Sequence, residues 1–300
     1  MATLTGAVQL ALLERYTPVM GESVTHTTSS GVTIYTVDDS RVENPGPSAV
    51  HPDGLLTGGV YKYEFIDDFT GADYLVIADG ASRVFLNDDI GASIIVGDDS
   101  VYIAAQDAGG NNKIIAGGGN NVIMLLDGND AVRVGNGNNV IEAGAGNDTI
   151  TAGNGNNTII GGDGNDIVRV GNGNNVIDAG AGNDFVTVGK GSNLITTGAG
   201  DDVVRVAGDG SGTNYIDAGK GNDKITLATG TGVDTIVKGS VSGEIDTVTG
   251  FDTAHDKIAQ AASTVSSTVI SGSDTVVTFS DGSQVVLVGV QIADSSSFLV

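Results

Sequence analysis

From Asp107 to Val237 the chain is written in units of nine residues: DAGGNNKII, AGGGNNVIM, LLDGNDAVR, VGNGNNVIE, AGAGNDTIT, AGNGNNTII, GGDGNDIVR, VGNGNNVID, AGAGNDFVT, VGKGSNLIT and TGAGDDVVR, then two further units with small insertions around AGKGNDKIT. Self-similarity at so short a period restricts the architecture more than any other property of the chain. Glycine recurs at the second and fourth positions, where it permits the positive backbone angles of a tight turn, and the last three residues are β-formers. Each unit therefore reads as a turn followed by a short strand. A three-residue strand buries nothing alone, so neighbouring units must stack and share one narrow core.

The middle strand residue is the natural core position, filled by Val132, Ile141, Ile150, Ile159, Val168, Ile177, Val186 and Ile195. Strand alternation turns the residue two further on inward as well: Val134, Ala143, Ala152, Gly161, Val170, Ala179 and Val188, all small or branched. With aromatics at 5% and no Trp, large anchors are scarce and the core must be thin and aliphatic. The absence of Cys excludes a disulfide framework and thiolate metal sites.

The units resemble the G-G-x-G-x-D-x-U-x nonapeptide of RTX proteins, a right-handed parallel β-roll or β-helix solenoid with calcium in its turns. The resemblance is carried by about thirteen units in register. It implies that two nonapeptides make one coil, that residues 18 apart stack, and that alternate units occupy opposite edges. Under that geometry the sixth position divides the roll. One edge presents Asp130, Asp148, Asp166, Asp184, Asp202 and, after a three-residue insertion, Asp223; the other presents Asn121, Asn139, Asn157, Asn175, Asn193 and Asn214.

Carboxylates stacked one coil apart, roughly 5 Å in a sheet, repel strongly unless a cation lies between them. Calcium suits the place: it takes six to eight oxygens in loose geometry, so Asp side chains and turn carbonyls of Gly128, Gly146, Gly164, Gly182, Gly200 and Gly221 could share its shell. About five ions or more are expected, mainly on the Asp edge, with Asp127, Asp163 and Asp234 as lesser ligands. Zinc is disfavoured because the three histidines, His26, His51 and His255, all lie outside the repeats. Turn formers alone would not need to hold one position through six coils, whereas shared ligands must. Asparagine brings an acceptor but no charge, so the Asn edge is expected to bind calcium weakly or not at all and to form a hydrogen-bonded ladder.

Two outward rows are also legible in this geometry. Arg133, Arg169 and Arg205 alternate with Thr151 and Thr187, so like charges never stack in adjacent coils. On the opposite sheet Val122, Val140, Thr158, Val176, Leu194 and Tyr215 form an apolar stripe that either the flanking segments or another copy should cover.

The flanks divide the chain further. Residues 1–60 break the period and are read as a capping or docking segment, with a short helix through Leu10, Leu13 and Tyr16 ended by Pro18 and strands such as GVTIYTV after it. Residues 61–106 read as degenerate coils, whose Asp67, Asp68, Asp73, Asp88, Asp89, Asp98 and Asp99 are expected as solvated turn residues rather than ligands. Residues 238–300 read as a C-terminal cap built on a hairpin whose turn is Asp281 and Gly282. This last region is similar to the cap and secretion region of RTX exoproteins, which implies an uncleaved type I export signal ending in Phe298, Leu299 and Val300 and hence a secreted protein.

The net charge of −24 disfavours nucleic acid and anionic membranes as partners. No run reaches the roughly 18 apolar residues of a membrane span, and the start, MATLTGAVQLALLERY, lacks the features of a signal peptide. No H-E-x-x-H, G-x-S-x-G or P-loop signature occurs, so the chain is expected not to be an enzyme. The expected function is that of a calcium-binding structural protein that pairs with copies of itself in an extracellular layer, filament or biofilm matrix. A monomeric adhesin is the alternative, with an ice-binding protein or a fragment of an RTX exoenzyme behind it.

Overall fold

The computed structural model describes residues 91, 93–98, 100–105, 110–239, 242–260 and 264–300, and the backbone of five earlier strands, Ser23–Thr27, Thr33–Val37, Leu55–Leu56, Leu75–Ile77 and Ser82–Leu86. The expected helix near Leu10 lies outside the described residues, as do His51, Asp67, Asp68, Asp73, Asp88, Asp89 and Asp99.

Successive short strands alternate between two stacked parallel sheets. Ala131–Val134, Thr149–Ala152, Ile167–Val170 and Phe185–Val188 follow one another in the larger sheet; Val122–Met124, Val140–Ala145, Thr158–Asp163 and Val176–Ala181 do so in the smaller. Residues 18 apart are direct neighbours, as in Val132 beside Ile150 and Ile141 beside Ile159. The step lengthens to 21 where the insertion falls, pairing Leu194 with Tyr215 and Val203 with Lys224, so the extra residues bulge at the edge and the ladder continues.

The core is the file of middle strand residues: Ile150, Ile159, Val168, Val186 and Ile195 have no exposed surface at all. Burying each such side chain contributes on the order of 1.5–3 kcal/mol, and stacking makes the sum continuous along the roll. Coils pack closely enough that glycine is obligatory at the turns: Gly146 has φ +133°, and a Cβ there would lie 1.8 Å from the carbonyl oxygen of Gly128 one coil earlier. The outward rows fall as the alternation demands. Arg133, Thr151, Arg169, Thr187 and Arg205 lie side by side, with the Arg169 guanidinium 5.6 Å from the centre of the Phe185 ring. The apolar row on the smaller sheet ends in exposed Leu194 and Tyr215.

The solenoid runs beyond the clear repeats at both ends. Leu75–Ile77, Ser82–Leu86, Ser93–Val96 and Val101–Ala105 stack upstream in the two sheets, and Leu55–Leu56, inside the segment read as a separate cap, pairs with Leu75–Ile77. Downstream, Ile245–Thr249 and Lys257–Gln260 add one more strand to each sheet, past the expected boundary at 237. A meander then closes the larger sheet: Gln284–Val288 pairs with Ile245–Thr249, then Asp274–Phe279 and Val265–Ser271 pair antiparallel. Its turn is the expected one, with Gly282 at φ +86° and the Ser283 N–H donating to Asp281 Oδ1 at 2.9 Å. The last residues cover the smaller sheet: Phe298 is fully buried against Phe251 at 5.4 Å, edge to face, and Leu299 bridges Ile258.

Candidate metal centre

The two edges differ by one atom per coil. Each sixth-position residue closes a turn just before a strand, and its side chain points into the roll: Asp130, Asp148, Asp166, Asp184, Asp202 and Asp223 are 0–2% exposed. In every case Oδ1 accepts from the backbone N–H of the residue one coil earlier, at 2.6 Å from Asn112, 2.7 Å from Asp130, 2.8 Å from Asp148 and Asp166, 2.7 Å from Asp184 and 2.9 Å from Asp202. The asparagines make the same bond, as from Asn139 N–H to Asn157 Oδ1 at 3.2 Å.

At the second side-chain atom the edges diverge. On the Asn edge the Nδ2 of Asn139 donates to Asn157 Oδ1 at 2.8 Å and to the carbonyl of Gly137, two residues back in its own turn, at 3.1 Å. Asn157 and Asn175 repeat both bonds, so this ladder knits itself. On the Asp edge the corresponding atom is Oδ2, which has nothing to donate. The Oδ2 atoms of Asp130, Asp148, Asp166, Asp184, Asp202 and Asp223 are all buried and without a hydrogen-bond partner. The glycines that would be their turn partners are Gly128, Gly146, Gly164, Gly182, Gly200 and Gly221. The carbonyl of each of the first five lies against the Cα of its successor, along the roll axis. Each coil of this edge thus carries a buried carboxylate oxygen without a donor, two residues after a turn carbonyl.

Burial is also what dominates the acidity. Desolvation pushes Asp130, Asp166 and Asp223 up to about 7 and Asp184 up to about 6, opposed by the backbone hydrogen bond to each and reinforced by neighbouring carboxylates. Asp148 and Asp202 are raised for the same first cause. A buried carboxylate escapes this cost by taking a proton or by facing a cation. The donor set fits calcium: hard oxygens only, carboxylate and carbonyl, in a flexible turn. Among the described residues no three or more His, Cys, Asp or Glu side chains gather as a site made of side chains alone.

Residues 106–132, 133–168, 169–204 and 209–237 match the family model of the RTX calcium-binding nonapeptide repeat, in four copies. The central stretch is an array of RTX repeats. Among solved structures the chain is similar to the extracellular lipase LipA from Serratia marcescens, at 15% identity over 77% of this chain and 45% of that one, with a TM-score of 0.24. The chain thus spans less than half of that protein's length. No curated protein matches the sequence.

The RTX array does not gather every expected ligand. Asp127 and Asp163 are exposed on the outer side of the turn, in a row where Ala145 and Ala181 separate them from one another and from the next coil, and they do not join the file of orphan oxygens. Asp234 follows the last asparagine of the Asn edge, where its Oδ1 accepts from Asn214 Nδ2 at 2.7 Å and its N–H donates to Asp256 Oδ1 at 2.9 Å. Asp98, in the upstream coils, is exposed and accepts from the Gly118 N–H at 3.0 Å, a turn role as expected.

Three further ladders escaped sequence reading. Asn129, Asn147 and Asn165 on one edge, and Asn136 with Asn154 and Asn138 with Asn156 on the other, each accept at Oδ1 from the backbone of the next coil, at 2.6–2.8 Å. The signal was the same: one residue type held at one unit position. Among the described residues no helix is long and apolar enough to cross a membrane.

Proposed function

We propose that this chain is a secreted structural protein whose roll folds on calcium outside the cell and assembles into an extracellular layer, filament or biofilm matrix. The observation that carries the calcium reading is the file of six buried carboxylate oxygens with no partner. Six oxygens in file leave five gaps, which supports about five ions on this edge, the lower end of the expected number. Asp Oδ atoms and the carbonyls of the glycines two residues before them would hold the ions; calcium would supply the positive charge that the amide hydrogens supply on the Asn edge.

Where calcium is scarce the Asp edge is a column of unpaired charge in a glycine-rich chain, which favours the unfolded state. Extracellular calcium exceeds the affinities of roughly 0.1–1 mM typical of extracellular modules, so folding would follow export. The buried position of Phe298 supports export before folding: that side chain of a type I signal would be accessible only in an unfolded tail. Assembly is supported by the outward apolar row ending in Leu194 and Tyr215 and by the edge strand Val265–Ser271, on which Val269 and Ile270 are 54% and 45% exposed. An uninterrupted outward Thr array, the surface that an ice binder of this shape would present, is broken here by Arg133, Arg169 and Arg205. The residues of the array serve the core, the turns and the ladders, and the reading is non-catalytic.

Circular dichroism with calcium and with chelator, at mildly alkaline pH where the carboxylates are ionised, tests the folding step: strand signal should appear only with calcium, and an identical spectrum in chelator would sink it. Electron microscopy of the purified protein in calcium tests assembly. Ordered polymers are expected, whereas lasting monomers would favour the adhesin.

A further inference from the structure

The Asp edge does not end in an orphan oxygen. The Asp223 N–H donates to Asp246 Oδ1 at 3.2 Å, so Asp246 is the next rung after Asp223. Its Oδ2 lies 3.1 Å from the Nζ of Lys238, and Glu244 Oε2 lies 3.7 Å from the same atom. The lysine side chain is 1% exposed; burial raises the pKa of Asp246, and the positive charge of the lysine opposes that rise.

Lys238 reaches this place from an inward position that holds Leu125 at the Asp130 rung and small residues at the five rungs after it. Ala143, Gly161, Ala179, Thr197 and Ala218 precede it in the same row of the smaller sheet, the last through the pairing of Asp217 with Val237. That row borders the orphan oxygens: a Cβ on Gly161 would lie 2.5 Å from Asp166 Oδ2. Small side chains thus border the carboxylates from Asp148 to Asp223, and at Asp246 a long cationic side chain takes their place.

We propose that Lys238 is a tethered cation that takes, at the Asp246 rung, the part that a calcium ion takes at the rungs before it. The proposal rests on the reading of the Asp edge as calcium-binding. It means that the ladder of ion sites stops at Asp223, and that the Asp246 carboxylate is compensated with no ion bound.

The experiment measures calcium stoichiometry by equilibrium dialysis, with circular dichroism alongside, on the full chain and three variants. Lys238→Met should bind one ion more than the wild type and require a higher calcium concentration to fold. Lys238→Arg should keep the wild-type number. Lys238→Met combined with Asp246→Asn, which turns the rung into one of the Asn-edge kind, should also return to the wild-type number. A structural ion pair without this role predicts a destabilised Lys238→Met with no added ion, and that result would overturn the proposal. If Lys238→Met folds at no calcium concentration, the double variant decides: recovered folding supports the proposal, and failure to recover refutes it. A wild type that binds no calcium instead overturns the reading of the Asp edge itself.

Discussion

At the scale of the residue, an NH2 group and a carboxylate oxygen in equivalent places give one edge that satisfies itself and another that cannot. The contrast makes Asp166→Asn informative. The amide keeps the Oδ1 acceptor for the Asp148 N–H, now at 2.8 Å, and brings the donor that Asn157 uses across the roll. Equilibrium dialysis should show fewer bound calcium ions while the roll still folds; an unchanged number would remove Asp166 from the ligand set. Asp166→Ala differs in kind, because it strands the buried Asp148 N–H without its acceptor at a cost of about 1–3 kcal/mol. Thermal unfolding in calcium should register that loss for Ala and a smaller one for Asn.

At the scale of the element, the rungs of a ladder titrate together. Without metal, folded-state values of about 7 for Asp130, Asp166 and Asp223 and about 6 for Asp184 stand above the 3.8 of the unfolded chain. The folded chain holds more protons than the unfolded one across that window, so stability in chelator is greatest at its acid end and falls as pH rises toward 7. Strand signal in chelator should therefore grow on acidification from about pH 8 to about pH 5, and replacing the six aspartates by asparagine should flatten the response. Calcium reverses the trend, since protons and metal compete for the same oxygens: the calcium concentration at half-folding should fall as pH rises. The strands and turns were legible from the sequence, because period, turn chemistry and alternation all act within one unit. The stacking interval of 18 and the division into two edges came from the resemblance to RTX repeats, since nothing within one unit says how many units close a coil. Which Asp joins the file was less so. Asp127 and Asp163 share the residue type of Asp166 but stand at another unit position, where the side chain turns outward. Lys238 was read as the first residue past the repeats, and only the closed coil shows that its position faces inward.

At the scale of the whole molecule, a narrow aliphatic core depends on its ends. Phe298 and Phe251 are the large side chains closing one of them, both buried and packed edge to face. Phe298→Ala should lower stability in calcium by about 3–5 kcal/mol, as for other buried aromatic truncations, and calorimetry would show it as a fall in Tm with little change in calcium stoichiometry. These end contacts were not legible beforehand: the tail was assigned to export from resemblance, and its packing depends on a coil that sequence periodicity had already lost. The difference between the two edges has a mechanical side. Along the Asn edge the coils are tied by bonds that no ion controls, whereas along the Asp edge their spacing depends on whether the carboxylates are neutralised. Repulsion confined to one side of a long, thin bar is a bending moment, so a roll losing its ions would curve toward its asparagine side before its coils come apart.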